Sequence, residues 1–207
     1  MFALVGGRPA DPADLASGAM TTARARDVDD RLEVCAVSRS TLTSVALVVL
    51  VWTTMMSFGG VAAETVMLYP NIFGDPPASL DRAREFLAAA GPSDYFPPLG
   101  ATVVLSGLAA TVLSWRDPRL RWWVAGATAV FVACEFLFSA LFFWPRNEIM
   151  FVDPVGTHSS EYLRQVAQEF VAGHRVRLAG GAVSTALAFT ALLRGVRTGA
   201  ERVGTPR

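Results

Sequence analysis

Glu64, Glu135, His174 and Arg177 are ionisable side chains that fall inside or at the edge of strongly apolar stretches. A carboxylate, an imidazole and a guanidinium can between them accept a proton, hold it and steady a developing anion. In hydrocarbon such groups are costly, which makes each a functional candidate by default. Glu135 is the deepest, with VFVAC before it and FLFSA after it, and it should be neutralised there by a proton or a partner. Helical spacing then groups these residues into stripes. Glu135, Ser139, Phe142 and Arg146 stand at i, i+4, i+7 and i+11; Phe170, His174, Arg177 and Gly181 repeat that spacing, and Thr53, Ser57, Gly60 and Glu64 form a third stripe.

Each stripe also has a purely structural explanation. Small residues at Ser57 and Gly60 let a neighbouring helix approach, with Glu64 as an interfacial carboxylate. Gly100, Gly107, Thr111 and Ser114 make a similar seam without acid or base, which reads as packing. Glu135 could serve one interhelical hydrogen bond, and His174 could simply sit at the membrane boundary. The segment FFWPRNEIMF, residues 142–151, sets Arg146, Asn147 and Glu148 against Phe142, Phe143 and Trp144. Trp144 suits an interfacial anchor. With His174 and Arg177 expected at the same rim, the polar triplet would face a polar partner across the bundle mouth. The result would be an apolar cavity under a polar lid, fitted to a flat apolar molecule with a few oxygens. On that reading His174 and Glu135 are the candidate catalytic groups. Arg146, Asn147, Arg177, Trp144, Phe142 and Glu64 are the candidate substrate contacts.

The elements that must position these groups follow from where charge is missing. Of 207 residues, 52% are hydrophobic and only 17% charged, below the roughly 25% usual for a soluble domain. Residues 40–63 carry no charge, nor do 95–115; 122–145 carry only Glu135, and 178–193 carry none. A bilayer core needs about 20 apolar residues of helix. The expected fold is therefore an all-α membrane protein, a four-transmembrane-helix bundle with spans near 41–63, 96–115, 121–145 and 177–195. Arginine placement orients it. Arg8, Arg24, Arg26, Arg31 and Arg39 precede the first span; Arg116, Arg119 and Arg121 fill the second turn, and Arg194, Arg197, Arg202 and Arg207 follow the last span. Both termini are then cytoplasmic in a multi-pass cell-membrane protein, with flexible tails over 1–38 and 198–207. The first tail lacks the apolar core of a signal peptide, and Met20 is an alternative start to Met1.

The first outward loop predicts an amphipathic helix over LDRAREFLAAA, capped by Ser79 and ended by Gly91-Pro92. Its Leu80, Phe86 and Leu87 would lie on the membrane or cap the bundle. The segment from His158 predicts an N-terminal extension of the fourth helix, with Tyr162, Val166, Phe170 and Val171 as its apolar side. Pro145 should kink or end the third helix. Zero net charge argues against a nucleic-acid partner. Cys35 and Cys134 offer no disulfide framework.

Pro145, Asn147, His174 and Arg177, across a region of about 42–195, resemble the pattern of the DUF1772, or anthrone oxygenase-like, family of small integral membrane proteins. That pattern has a tryptophan four residues before the histidine, where this chain has Phe170, and often a second asparagine where Glu148 stands. The resemblance implies a four-span fold and oxidation of anthrones to anthraquinones by dioxygen, with no cofactor. For that chemistry the residues assign His174 as the base, Arg177 and Arg146 as enolate stabilisers and Asn147 as a substrate hydrogen-bond donor, with Glu135 a candidate second proton acceptor. Its partners would be the lipid bilayer and an apolar small-molecule substrate, with a homo-oligomer left open.

Other functions fit the same residues. A small proton-coupled exporter would use Glu135 or Glu64 as the carboxylate for which protons and cationic drugs compete. A metal site could draw on His158, Glu161, Glu169 and His174, but one helix cannot close it, and none is expected. A non-catalytic accessory membrane protein is the remaining alternative.

Overall fold

A computed structural model describes residues 39–203, with side chains through residue 197. The N-terminal tail expected over 1–38, Cys35 and the choice between Met1 and Met20 lie outside the described residues. Because no water reaches a bilayer core, a spanning backbone must satisfy its own hydrogen bonds, and the four uncharged runs all fold as helix. These are α1 (Arg39–Ile72), α3 (Pro92–Ser114), α4 (Arg121–Val152) and α5 (Ser160–Val203), each long and apolar enough to cross a membrane. The short α2 (Ala78–Phe86) lies between α1 and α3, and no strand occurs among the described residues. The helices outrun the apolar runs that mark them. Helix α5 continues through Val203, so the expected tail from 198 begins as helix.

The connection after α1 corrects two expectations. Ser79 is not the cap of α2: it is buried in the first turn, and its Oγ accepts from the Asp75 N–H at 3.2 Å. The helix ends at Phe86, short of Gly91. Leu80 and Ala83 are buried, whereas Phe86 is exposed, so one face caps the bundle and the other faces outward. Arg84 fixes that arrangement, donating to the Met150 carbonyl at 2.7 and 3.1 Å and to the Asp153 carbonyl at 3.1 Å. The last carbonyls of a helix have no partners of their own, and a cation satisfies them well. On α5 the buried side is Leu163, Val166, Ala167 and Phe170, while Tyr162 is exposed.

Two of the four spanning helices contain wide turns, in which an N–H bonds five residues back rather than four. They cover Glu64–Leu68 in α1 and Val132–Leu137, Ser139–Phe143 and Glu148–Val152 in α4. Tyr69 N–H reaches Glu64 O, and Trp144 N–H reaches Ser139 O. A proline comes directly after each of those donors, Pro70 and Pro145. Proline has no N–H, and its ring crowds the preceding turn; a wider turn relieves both conflicts. Pro145 therefore does not end the helix, which runs on to Val152. Each wide turn holds about one extra residue and rotates the downstream side chains by about 100°.

The core has two apolar layers. The lower one packs Leu47, Leu50, Val103, Val124, Phe131 and Ala188, with Ser184 Oγ of α5 donating to Ala127 O of α4 at 2.9 Å. The upper one packs Tyr69, Ile72, Phe143, Met150 and Phe170 against Leu80 and Ala83 of α2. Close approach depends on glycine at a few points. A Cβ on Gly107 would strike the Thr128 side chain, and one on Gly173 would strike the Phe142 ring.

A buried ionisable cluster

Between the two apolar layers, α1, α4 and α5 bring Glu64, Glu135, His174 and Arg177 together. All four are buried, His174 completely. Both carboxylates begin or lie within wide turns, Glu64 at the start of Glu64–Leu68 and Glu135 inside Val132–Leu137. His174 and Arg177 stand one turn apart on α5.

The contacts fix the roles of the two imidazole nitrogens. Thr65 Oγ1 donates to Val61 O at 2.6 Å, so it accepts from His174 Nδ1–H at 3.3 Å. Nε2 is then the lone pair, and two donors face it: the Tyr69 hydroxyl at 2.8 Å and Arg177 Nη1 at 3.3 Å. That tautomer is assigned from the network. Arg177 also donates through Nε to Glu135 Oε2 at 3.1 Å, with Nη2 equally close. Its guanidinium carbon lies 5.2 Å from the ring centres of Phe96 and of Phe143. Tyr69, Phe143 and Phe170 enclose the imidazole at 4.4, 5.1 and 5.6 Å between ring centres.

One carboxylate is left over. Glu64 Oε2 stands 3.7 Å from His174 Nε2, beyond hydrogen-bond distance, and neither of its oxygens makes a hydrogen bond of ordinary geometry among the described residues, although the Tyr69 hydroxyl that donates to His174 also lies close enough to interact with it. Glu135 Oε1 is likewise unpartnered, and it lies where a Cβ on Gly181 would come within 3.0 Å. Two acids thus share one guanidinium in a dry interior, where an unpaired charge is expensive. The cluster thus carries one acid more than its guanidinium can balance.

The other candidate residues lie apart. Arg146 pairs with Glu169 at 2.7 Å, donates to Phe142 O at 2.9 Å and stacks on the Phe142 ring at 3.6 Å. It does not meet His174 or Arg177. The wide turns of α4 explain this: they break the expected stripe, so that Phe143 rather than Phe142 packs on His174. Asn147 is half-buried, Trp144 is exposed, and Phe142 stacks on Phe138 against Gly173. The residues from which an alternative metal site could have drawn are dispersed. His158 bonds Asp153 at 2.6 Å, Glu169 holds Arg146, and His174 belongs to the cluster. No group of three or more His, Cys, Asp or Glu among the described residues could hold a metal ion.

Tyr69, Thr65, Phe96 and Phe143 are the members that sequence spacing misses. Tyr69 stands five residues after Glu64, off its stripe in a regular helix; the adjoining Pro70 was the available signal. A groove of about 450 Å³ opens near the upper layer, lined by Phe73 and residues of α5, and no member of the cluster lines it. Phe73 packs on Tyr69 and Phe170, and both of these pack on His174.

The fold and its buried cluster define a four-span helical membrane protein with an ionisable centre. No family model, curated protein or solved structure matches the chain.

Proposed function

We propose that the cluster takes a proton from an acidic, flat aromatic substrate inside the bilayer, and that the chain is a cofactor-independent oxygenase of the anthrone type. The observation that carries this reading is the position of His174 Nε2, a lone pair set between the Tyr69 hydroxyl and the Arg177 guanidinium. A base and a cation at one point can remove a proton and steady the enolate left behind. The doubly benzylic C–H proton passes to Nε2, directly or through the Tyr69 oxygen. The electron-rich anion reduces dioxygen, a C–O bond forms at that carbon, and loss of water gives the ketone. One methylene and one dioxygen thus yield one carbonyl and one water. Access to Nε2 requires movement of the aromatic layer formed by Phe73 and Phe170. Asn147, Arg146 and Trp144 stand outside the cluster, so their assistance is confined to the approach. Oxygen uptake by membranes supplied with an anthrone tests the reading. His174→Ala should lower turnover by about 100-fold or more, and unchanged turnover would remove the role.

Glu64 supports a second reading, proton-coupled export. A buried carboxylate whose oxygens make no hydrogen bond of ordinary geometry is what a proton and a cationic substrate would compete for. Expressing cells should then resist cationic dyes, and Glu64→Gln should abolish that resistance. The arginine distribution supports cytoplasmic termini, and with that orientation the 73–91 and 153–159 connections would face outward.

A further inference from the structure

Arg164, Gln168, Val171 and Arg175 stand at i, i+4, i+7 and i+11 on α5, one face over three turns. That face borders the groove of about 450 Å³, whose opposite wall is Phe73, Gly74 and Pro76. Its polar lining is two guanidiniums and one carboxamide; the remainder is apolar or glycine, and no carboxylate takes part. Among the described residues Arg164 has only a solvent-exposed contact with Glu161 at 3.7 Å. Arg175 is exposed and has no hydrogen bond or ion pair among the described residues.

The depth of these cations suggests what covers them. Arg175 precedes the uncharged run 178–193 by three residues, about 4.5 Å along a helix. That is the boundary between hydrocarbon and headgroups, where arginine stems lie along apolar surface and their charged ends reach for phosphates. Arg164 stands about 16 Å further from the bilayer centre. Two cations without a lining acid, set along an apolar trough at this level, are complementary to an anion joined to hydrocarbon.

We propose that this groove binds the headgroup of an anionic phospholipid. Arg175 holds the phosphate, Gln168 and Arg164 donate to the headgroup beyond it, and the first methylenes run inward past Ala172 and the stem of Arg175 toward the uncharged run. The proposal rests on the groove alone, and stands or falls independently of any chemistry at His174.

Native mass spectrometry of the full chain, released from phosphatidylcholine nanodiscs doped with phosphatidylglycerol, would test it. Phosphatidylglycerol should be retained in preference to phosphatidylcholine. Arg175→Gln and Arg164→Gln should each weaken that retention about fivefold. Arg175→Lys should keep most of it, and Arg82→Gln, at an exposed position of α2, should keep all of it. Equal retention of the two lipids would overturn the proposal, as would full retention in the double Gln variant. Displacement by inorganic phosphate, without a preference between lipids, would assign the groove to a soluble anion and overturn it equally. Thermal melting of each variant separates lost binding from lost folding.

Discussion

A guanidinium removed from water needs its charge met nearby, and Arg177 meets it with Glu135 at 3.1 Å between two aromatic rings. Breaking a buried pair by removing one member leaves the other charge stranded, at about 3–5 kcal/mol. Arg177→Gln should therefore lower stability by about that amount in detergent unfolding. The double variant with Glu135→Gln should recover most of the loss, because both charges then leave together. Tyr69→Phe removes one donor from Nε2 while Arg177 remains, and should cost only about 1 kcal/mol. A larger effect of Tyr69→Phe on turnover than on melting would mark the hydroxyl as part of the proton path. The ionisable members of this cluster were legible in the sequence because charge in a greasy run is conspicuous. Thr65 and Phe96 were not, since threonine and phenylalanine are ordinary in such runs, and Phe143 was legible only together with Phe142, not as the ring that meets His174.

At the scale of elements, the four spans could be read directly from charge-free length, whereas the faces of α1 and α4 could not. Helical stripes assume 3.6 residues per turn, and that assumption fails wherever a wide turn intervenes. This is why regular spacing puts Arg146 beside His174, whereas it holds Glu169 instead. Helix α5 contains no wide turn, and on it Phe170, His174, Arg177 and Gly181 do share one side. Contact between α4 and α5 also depends on Gly181, which faces both Glu135 and Phe58. At the neighbouring Gly180 a Cβ would strike the Cys134 side chain, and Gly180→Ala should cost about 1–3 kcal/mol by overpacking, read as a lower melting temperature. Arg84 anchors α2 through two backbone carbonyls. Arg84→Gln should raise hydrogen exchange across Ala78–Phe86 and leave the lower core unchanged.

For the whole molecule, two dry layers hold a polar one between them, so the cluster is sealed from above by aromatic rings and from below by aliphatic packing. The orientation inferred from arginine placement is open to direct measurement. With Cys35 and Cys134 replaced, a cysteine at Ala89 should react with an impermeant maleimide on intact cells. One at Asp117 should react only after permeabilisation, and the reverse pattern would invert the topology. The wide turns also bear on how such a chain can change in length. A stretch holding one residue more than a regular helix needs can lose one without displacing the segment beyond it. Deleting Leu141, inside Ser139–Phe143, should thus leave the far end of α4 docked on α2 and α5. The same deletion at Ala127, in an ordinary turn, would swing every later side chain by about 100°. Comparing the yields of the two shortened proteins would show whether this helix keeps a spare residue in reserve.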